Sequence, residues 1–263
     1  MKILARIQLA GMGKVWASRS SRPVFLVAVV VWIGLGAVVL RPEPLASSTM
    51  PVVLSGPRRT FASLPRQGAF KPAGVISASD VHYPFNTDAE GIVVFDVLLN
   101  ASGKISSINA LTDVPPLTNA AESSLSAWKF IPASSDGAAE ASQMLVAFVF
   151  RHAIEGRNPP AFSPVFAPSQ GTSYTPPGIT SAAYADYPTS TIAAGAIVLE
   201  ETIRADGGIK NARVVRGMSG GFAPLALKAA SQWGFEPAMW NGSAVTSKVA
   251  IAFVFSSRAL NPF

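Results

Sequence analysis

The sequence predicts an α+β protein of two tandem small domains, each a three-stranded antiparallel sheet with one packed helix in the order β-β-α-β, preceded by a single transmembrane helix. Three observations support this fold class. The pattern W-x-F-x-P-A occurs at residues 128–133 and again at residues 233–238. Similar strand-like and helical segments flank both occurrences, and an uncharged apolar run lies near the N-terminus. The chain is therefore expected to carry two copies of one unit behind a membrane segment.

Other landmarks around this pattern also recur at a nearly constant spacing. The spacing is 104 residues before the predicted helix and 105 residues after it. The landmarks are Tyr83-Pro84 with Tyr187-Pro188, Gly91 with Gly195, Gly103 with Gly207, and residues 147–150 with 252–255, both of which read Ala-Phe-Val-Phe. Copies of this length are too long for a solenoid repeat, so we expect two small domains, at residues 81–152 and 183–257.

The basic residues are concentrated at the N-terminus. The net charge is +6, but residues 1–22 alone contain five cations and no acidic residue: Lys2, Arg6, Lys14, Arg19 and Arg22. The rest of the chain holds 16 Lys and Arg against 15 Asp and Glu, which follows from totals of 21 and 15. The body therefore lacks the cationic excess of a nucleic-acid-binding protein, and we expect no nucleic-acid partner.

Cysteine and histidine are scarce. The chain has no cysteine, so disulfides and thiolate metal sites are excluded. Its two histidines, His82 and His152, stand 70 residues apart without a metal-ligand spacing such as H-E-x-x-H. We expect both to be solvent-facing or loop residues at domain edges, and we expect no metal and no cofactor.

Residues 23–40 are uncharged and apolar, and their number lies at the short end of the range that spans a bilayer. Five cations precede them and only Arg41 follows closely, so the N-terminus is predicted to be cytoplasmic and the bulk periplasmic. A cleaved signal peptide is the alternative. Its cleavage site would be poor, because Ala46 has Pro44 at the minus-three position.

Two segments rich in proline lie between these parts. Residues 41–80 form a predicted spacer, and residues 153–182 form a predicted linker that includes Pro159-Pro160 and Pro176-Pro177. Neither segment shows a helical or strand period, and the second is too long for a tight loop inside one compact core.

The first strand of each copy is predicted from apolar runs that follow Gly91 and Gly195. In the second copy Ile197, Leu199 and Ile203 alternate with other residues, which indicates one face turned to the core. The equivalent residues of the first copy are Val93, Phe95, Val97 and Leu99. Glu201 breaks this face at the position of Val97, and we expect it near a strand end or under the linker rather than in a functional role.

A hairpin and a helix follow in each copy. Short polar loops that end in Gly103 and Gly207 separate the first two strands. Two apolar stripes at helical spacing come next: Leu117, Ala121, Leu125 and Trp128, then Phe222, Ala226, Ala230 and Trp233. Within the repeated pattern, the predicted structural residues are Trp128, Phe130, Pro132, Trp233, Phe235 and Pro237. Tryptophan closes the stripe, phenylalanine anchors the exit, and proline stops the helix.

The last strand of each copy is predicted at residues 143–150 and 247–255. The combined features (Tyr-Pro pair, Gly-led strand, polar hairpin, helix ending in W-x-F-x-P-A, final apolar strand) resemble the TonB C-terminal domain. An N-terminal anchor followed by a proline-containing spacer also resembles the plan of a TonB protein. The resemblance implies a non-enzymatic link between an inner-membrane ExbB and ExbD complex and outer-membrane receptors, whose peptide segment adds as a strand to the last strand of the domain.

Strand addition gives a candidate site at the final strand of the second copy. Its residues are Lys248, Val249, Ala250, Ile251, Ala252 and Phe253. The alternative is a structural envelope protein whose two domains pair with each other, without energy transduction. An enzyme is not expected, because the chain contains no G-x-S-x-G, H-E-x-x-H, Walker or G-x-G-x-x-G motif.

Overall fold

A computed structural model describes residues 70–85, 87–152, 158–170, 173–188 and 191–256. Strands make up 46% of these residues and helices 10%. The protein is therefore mostly β, and the predicted fold class is wrong in its balance of elements. The predicted membrane segment at residues 23–40 lies outside the described residues. Within the described ranges no helix is both long enough and apolar enough to cross a membrane.

The first copy begins earlier than the sequence predicts and contains seven strands and one helix. The helix α1 is Leu117–Leu125. The strands are β1 (Gly74–Ser77), β2 (Gly91–Leu99), β3 (Ile105–Ala110), β4 (Lys129–Ile131), β5 (Ala133–Ser135), β6 (Ala138–Glu140) and β7 (Ser142–Arg151).

The second copy repeats this order with one additional short strand. Its helix α2 is Phe222–Ala230. The strands are β8 (Tyr174–Thr175), β9 (Gly178–Ser181), β10 (Gly195–Ile203), β11 (Ile209–Arg216), β12 (Gly234–Glu236), β13 (Ala238–Trp240), β14 (Ser243–Val245) and β15 (Ser247–Phe255).

The long strands of both copies form one six-stranded sheet. Its order is β11-β10-β15-β7-β2-β3, so the two final strands lie side by side in the centre. They pair in parallel from Val249 opposite Leu145 to Phe255 opposite Arg151. The prediction of two separate three-stranded sheets is therefore wrong. Each such sheet would leave an apolar final strand at an edge, and the observed pairing removes both edges.

The register of this central pair places the two helices on opposite faces of the sheet. Equivalent residues of the two final strands are 105 apart, but paired residues are 104 apart, as in Ala147 opposite Ile251. A shift of one residue turns equivalent side chains to opposite faces. The copies are thus related by a half-turn about an axis that runs along the strands, and both faces of the central strands are covered.

Each face carries its own core, and both cores contain residues from both copies. The α1 core includes Ala196, Val198, Ala250, Ala252 and Val254 from the second copy. The α2 core includes Ile92, Val94, Leu145, Ala147 and Val149 from the first copy. The first three residues of each predicted stripe lie on α1 or α2 and are buried. Trp128 and Trp233 are buried as well, but they lie three residues beyond the helix ends, so the helices are shorter than predicted. The predicted inward faces of β2 and β10 are confirmed as well, each packing against the helix of its own copy.

Strands also occur where the sequence predicts only spacer and linker. Gly74–Ser77 pairs with β4, and Gly178–Ser181 pairs with β12. These two segments read Gly-Val-Ile-Ser and Gly-Ile-Thr-Ser and lie 104 residues apart, so the repeat extends to them. Each adds a strand beside the phenylalanine of the repeated pattern: Val75 lies opposite Phe130, and Ile179 lies opposite Phe235.

The loops after the Tyr-Pro pairs repeat in atomic detail. The Tyr83 hydroxyl donates to the Ala89 carbonyl, and the Tyr187 hydroxyl donates to the Ala193 carbonyl. The amide of each alanine in turn donates to a threonine hydroxyl two residues earlier at 3.1 Å. The two copies therefore share local hydrogen bonds as well as strand order.

Candidate functional site

The predicted binding strand lies inside the sheet. Residues Lys248, Val249, Ala250, Ile251, Ala252 and Phe253 all belong to β15, which pairs with β10 on one side and with β7 on the other. Val249 to Phe253 are at most 1% exposed. The prediction of a free edge here is corrected by this pairing, because a peptide could add to these residues only after β15 and β7 separate.

The two outer strands, β3 and β11, form the edges of the six-stranded sheet. Along β2, the backbone groups of successive residues point alternately toward β3 and toward β7. Those of Val94 point toward β3, because its carbonyl accepts a hydrogen bond from the Leu111 amide. The pairs Asp96 with Asn109 and Leu98 with Ser107 therefore exchange ladder bonds. It follows that the backbone groups of the intervening Ile108, and of Ala110, point away from the sheet.

The outward positions of β11 follow in the same way, because the two copies have the same hydrogen bond in the hairpin. The Arg204 amide donates to the Gly208 carbonyl, just as the Asn100 amide donates to that of Lys104. The outward positions of β11 are then Ala212 and Val214, the equivalents of Ile108 and Ala110.

The two edges differ in charge. β3 carries no charged side chain, whereas β11 carries Lys210, Arg213 and Arg216. Arg213 pairs with Glu200 at 2.9 Å, and Arg216 pairs with Asp80 at 2.6 Å, so the chain just after β1 crosses over β11. Cations and a crossing segment are common protections of edge strands. The β3 strand itself, Ile105–Ala110, carries no such cation.

The residues predicted as structural are all at least partly buried, but the prolines do not end the helices. Pro132 and Pro237 lie seven residues beyond the helix ends, after the short strands β4 and β12. Trp128, Trp233 and Phe130 are each 4% exposed, while Phe235, Pro132 and Pro237 are partly buried. The indole of Trp233 donates to the Ala183 carbonyl at 3.0 Å.

The hairpin glycines fit against the repeated pattern. A side chain on Gly103 would collide with the Phe130 carbonyl, and one on Gly207 would collide with that of Phe235. Both glycines also have positive φ, 78° and 83°, so the turn depends on glycine at both positions.

Glu200 links the copies through charged contacts that sequence reasoning missed. Its carboxylate, 2% exposed, accepts from Arg213 and Lys248 at 2.9 Å each and from the Val75 amide at 2.6 Å. Burial tends to raise the pKa of Glu200, but these hydrogen bonds outweigh it and lower the pKa. The signal was present in the sequence, because the equivalent residue, Asp96, is also acidic.

Asp96 occupies the equivalent position in the first copy with weaker partners. The Gln143 side chain donates to it at 3.0 Å and also to the Pro168 carbonyl at 3.1 Å. Burial raises the pKa of Asp96, and hydrogen bonds from Gln143 and Gln170 oppose that rise. This carboxyl is therefore held by two glutamines, Gln143 of β7 and Gln170 of the segment between the copies, rather than by a cation.

Glu201 lies in the α2 core rather than near the surface. It is fully buried between Val249 and Ala212 on the neighbouring strands, and neither carboxyl oxygen has a hydrogen-bond partner in the described part of the chain. Burial raises the pKa of Glu201 to about 8. Glu201 lies two residues before the end of β10, as expected, but its side chain is fully buried. With this pKa the carboxyl is mainly protonated at neutral pH.

His152 contacts residues of both copies. The His152 imidazole lies 3.0 Å from the Ser256 hydroxyl and packs against the Tyr83 ring at 4.4 Å. No group of three or more potential metal ligands occurs among the described residues.

Residues 184–256 match the model of a protein family described as the Gram-negative bacterial TonB protein C-terminal domain. The match covers the second copy. The family is a non-enzymatic domain, and it indicates a role in envelope transport with a periplasmic location. Comparisons with curated proteins and with solved structures found no match. The region of residues 184–256 is thus TonB-like, from the Tyr-Pro loop through the last strand.

Proposed function

We propose that the protein is a TonB-like periplasmic adaptor in envelope transport, in which the two paired copies form one scaffold that binds an extended partner segment by strand addition at β3. The observation that supports this most is the uncharged edge of Ile105–Ala110, which carries outward backbone groups at Ile108 and Ala110. Main-chain bonds along such an edge would supply affinity, and alternate side-chain contacts would supply selectivity.

The partners follow from the family resemblance and remain part of the proposal. They are a peptide segment of an outer-membrane receptor and an ExbB- and ExbD-like complex of the inner membrane. The first copy is proposed to be a second TonB C-terminal-like domain, on the strength of its repeated strand order and loop hydrogen bonds.

A second candidate function is a structural envelope protein without energy transduction. The parallel pairing of β7 with β15 favours it, because that pairing occupies the edge at which the resemblance places the receptor segment. The two candidates make different predictions for β3, since a purely structural protein needs no partner at that edge.

Ala110→Pro is expected to abolish partner capture while the protein still folds. Ala110 is exposed and its amide points away from β2, so proline removes a donor for the partner but no ladder bond within the sheet. Capture is measured in cells with a photo-crosslinking residue at the exposed Ser106, followed by identification of the crosslinked protein.

Val214→Pro is the matched control, because Val214 is the equivalent outward position of β11. It should leave capture unchanged. Asn109→Pro should instead destabilise the sheet, since it removes an inward ladder bond. Capture that survives in folded Ala110→Pro protein would refute binding at β3 and favour the structural candidate.

We further propose that residues 23–40 anchor the protein in the inner membrane with its bulk in the periplasm. The proposal rests on the five cations before this segment and on the poor cleavage site at Ala46. Mass measurement of the mature N-terminus should give the uncleaved chain. A mature protein that starts at or near Ser47 would contradict the anchor.

A further inference from the structure

A cavity of about 170 Å³ lies where the two copies meet beside the small strands. This is far more space than one water molecule needs. Its lining comes from both copies: Phe70, Glu140, Ala141 and Ser142 from the first, and Ser173, Tyr174, Trp240 and Asn241 from the second.

Three aromatic rings form a fixed wall of this cavity. The Phe70 ring stacks on Tyr174 with 5.2 Å between ring centroids and on Trp240 with 5.5 Å. Tyr174 and Trp240 are 5% and 8% exposed and pack around Ala238. The wall is therefore held in place by the packing of both copies and does not depend on a bound ligand.

Two polar side chains of the lining, those of Ser142 and Glu140, have no hydrogen-bond or ion-pair partner among the described residues. Ser142 is 4% exposed, and its hydroxyl is buried without a hydrogen-bond partner in the described ranges. Glu140 is the only charged residue of the lining. No ion pair or hydrogen bond to its carboxylate occurs among the described residues. A buried hydroxyl without a partner is costly, and a ligand that supplies one would recover that cost.

We propose that this cavity binds a primary ammonium group carried on a short alkyl chain. The Glu140 carboxylate supplies the opposite charge, the Ser142 and Ser173 hydroxyls supply acceptors, and the Trp240 and Tyr174 rings attract a cation. No lining residue is cationic, so the site discriminates against anions. A free small amine and the side chain of a lysine share this chemistry.

The probe for the test is n-butylammonium chloride, titrated into the folded protein. Binding is followed by the NMR shift of the Trp240 indole N–H, assigned by its loss in Trp240→Phe. We expect a saturable shift that weakens as the salt concentration rises. The neutral isostere 1-butanol should give no saturable shift at the same concentrations. A parallel titration with Nα-acetyl-lysine N-methylamide shows whether the site also accepts a lysine side chain.

Glu140→Gln keeps the shape of the side chain and removes its charge, and we expect it to weaken butylammonium binding at least tenfold. Glu122→Gln is the matched control, because Glu122 is exposed on α1 and does not line the cavity. It should bind as the unaltered protein does. Equal binding by Glu140→Gln, equal binding of 1-butanol, or the absence of any saturable shift would each overturn the proposal.

Discussion

Trp128→Ala is expected to unfold both copies in a single transition and to cost about 3 to 5 kcal/mol of the free energy of unfolding. Trp128 is 4% exposed in a core that also contains β10 and β15 residues of the second copy. The central pairing of β7 with β15 couples the copies further. If a linker isolated the copies, the second would survive, but the shared sheet makes joint unfolding the expected result.

Joint unfolding is tested by a urea titration in which amide NMR signals from β3 and β11 are monitored. These strands lie at opposite ends of the sheet and report on different copies. The midpoints of the two sets of signals should coincide and shift together. Trp233→Ala should behave in the same way, since Trp233 holds the equivalent position in the α2 core. Native β11 signals in a protein that has lost β3 would show instead that the copies fold independently.

Glu201→Val is expected to stabilise the protein by an amount that grows with pH. The folded-state pKa of Glu201 is about 8, against an ordinary value of 4.5, so the folded state holds a proton that the unfolded state releases. Stability is therefore full below about pH 4.5 and falls as the pH rises toward 8. From this shift the loss is on the order of 4 kcal/mol at pH 8. Valine removes it, as Val97 does at the equivalent position of the first copy.

The measurement is the difference in unfolding free energy between Glu201→Val and the unaltered protein at pH 5 and at pH 8. The difference should be several kcal/mol larger at pH 8. Val97→Glu tests the same effect in reverse, because it places a carboxyl at the equivalent buried position and should add a similar loss at high pH. A difference that does not change with pH would show that Glu201 has a partner or access to water in solution.

Local patterns predicted the local structure well. The helix stripe from Leu117 to Leu125 and the inward face of β2 follow from periodicity within short segments, and the structure confirms both. The pairing of β7 with β15 could not be predicted in this way, because it joins residues 104 apart and depends on which apolar edges meet. One sequence feature did indicate that β7 lies inside a sheet. The apolar run from Leu145 to Phe150 is typical of a strand that is covered on both faces.

The candidate sites were predicted less well, for a related reason. Choosing Lys248 to Phe253 as the binding edge assumed that the last strand of the fold ends the sheet. Glu201 was expected near a strand end or under the linker, and its complete burial was not predicted, because a carboxyl in an apolar core is costly. The structure accommodates this carboxyl through proton uptake. The cavity near Glu140 joins residues from both copies, so no segment taken alone could indicate it.

The parallel central pair also bears on how such a protein could arise. Two separate chains, each with one copy, could form the same parallel pair of strands, but only at protein concentrations that favour dimers. The segment between Arg151 and Tyr174 joins the copies, so their contact becomes intramolecular and no longer depends on the protein concentration. Once joined, the copies no longer need identical surfaces. Substitutions such as Lys248 for the equivalent of Gln143 can then accumulate in one copy, with the sheet shared by both.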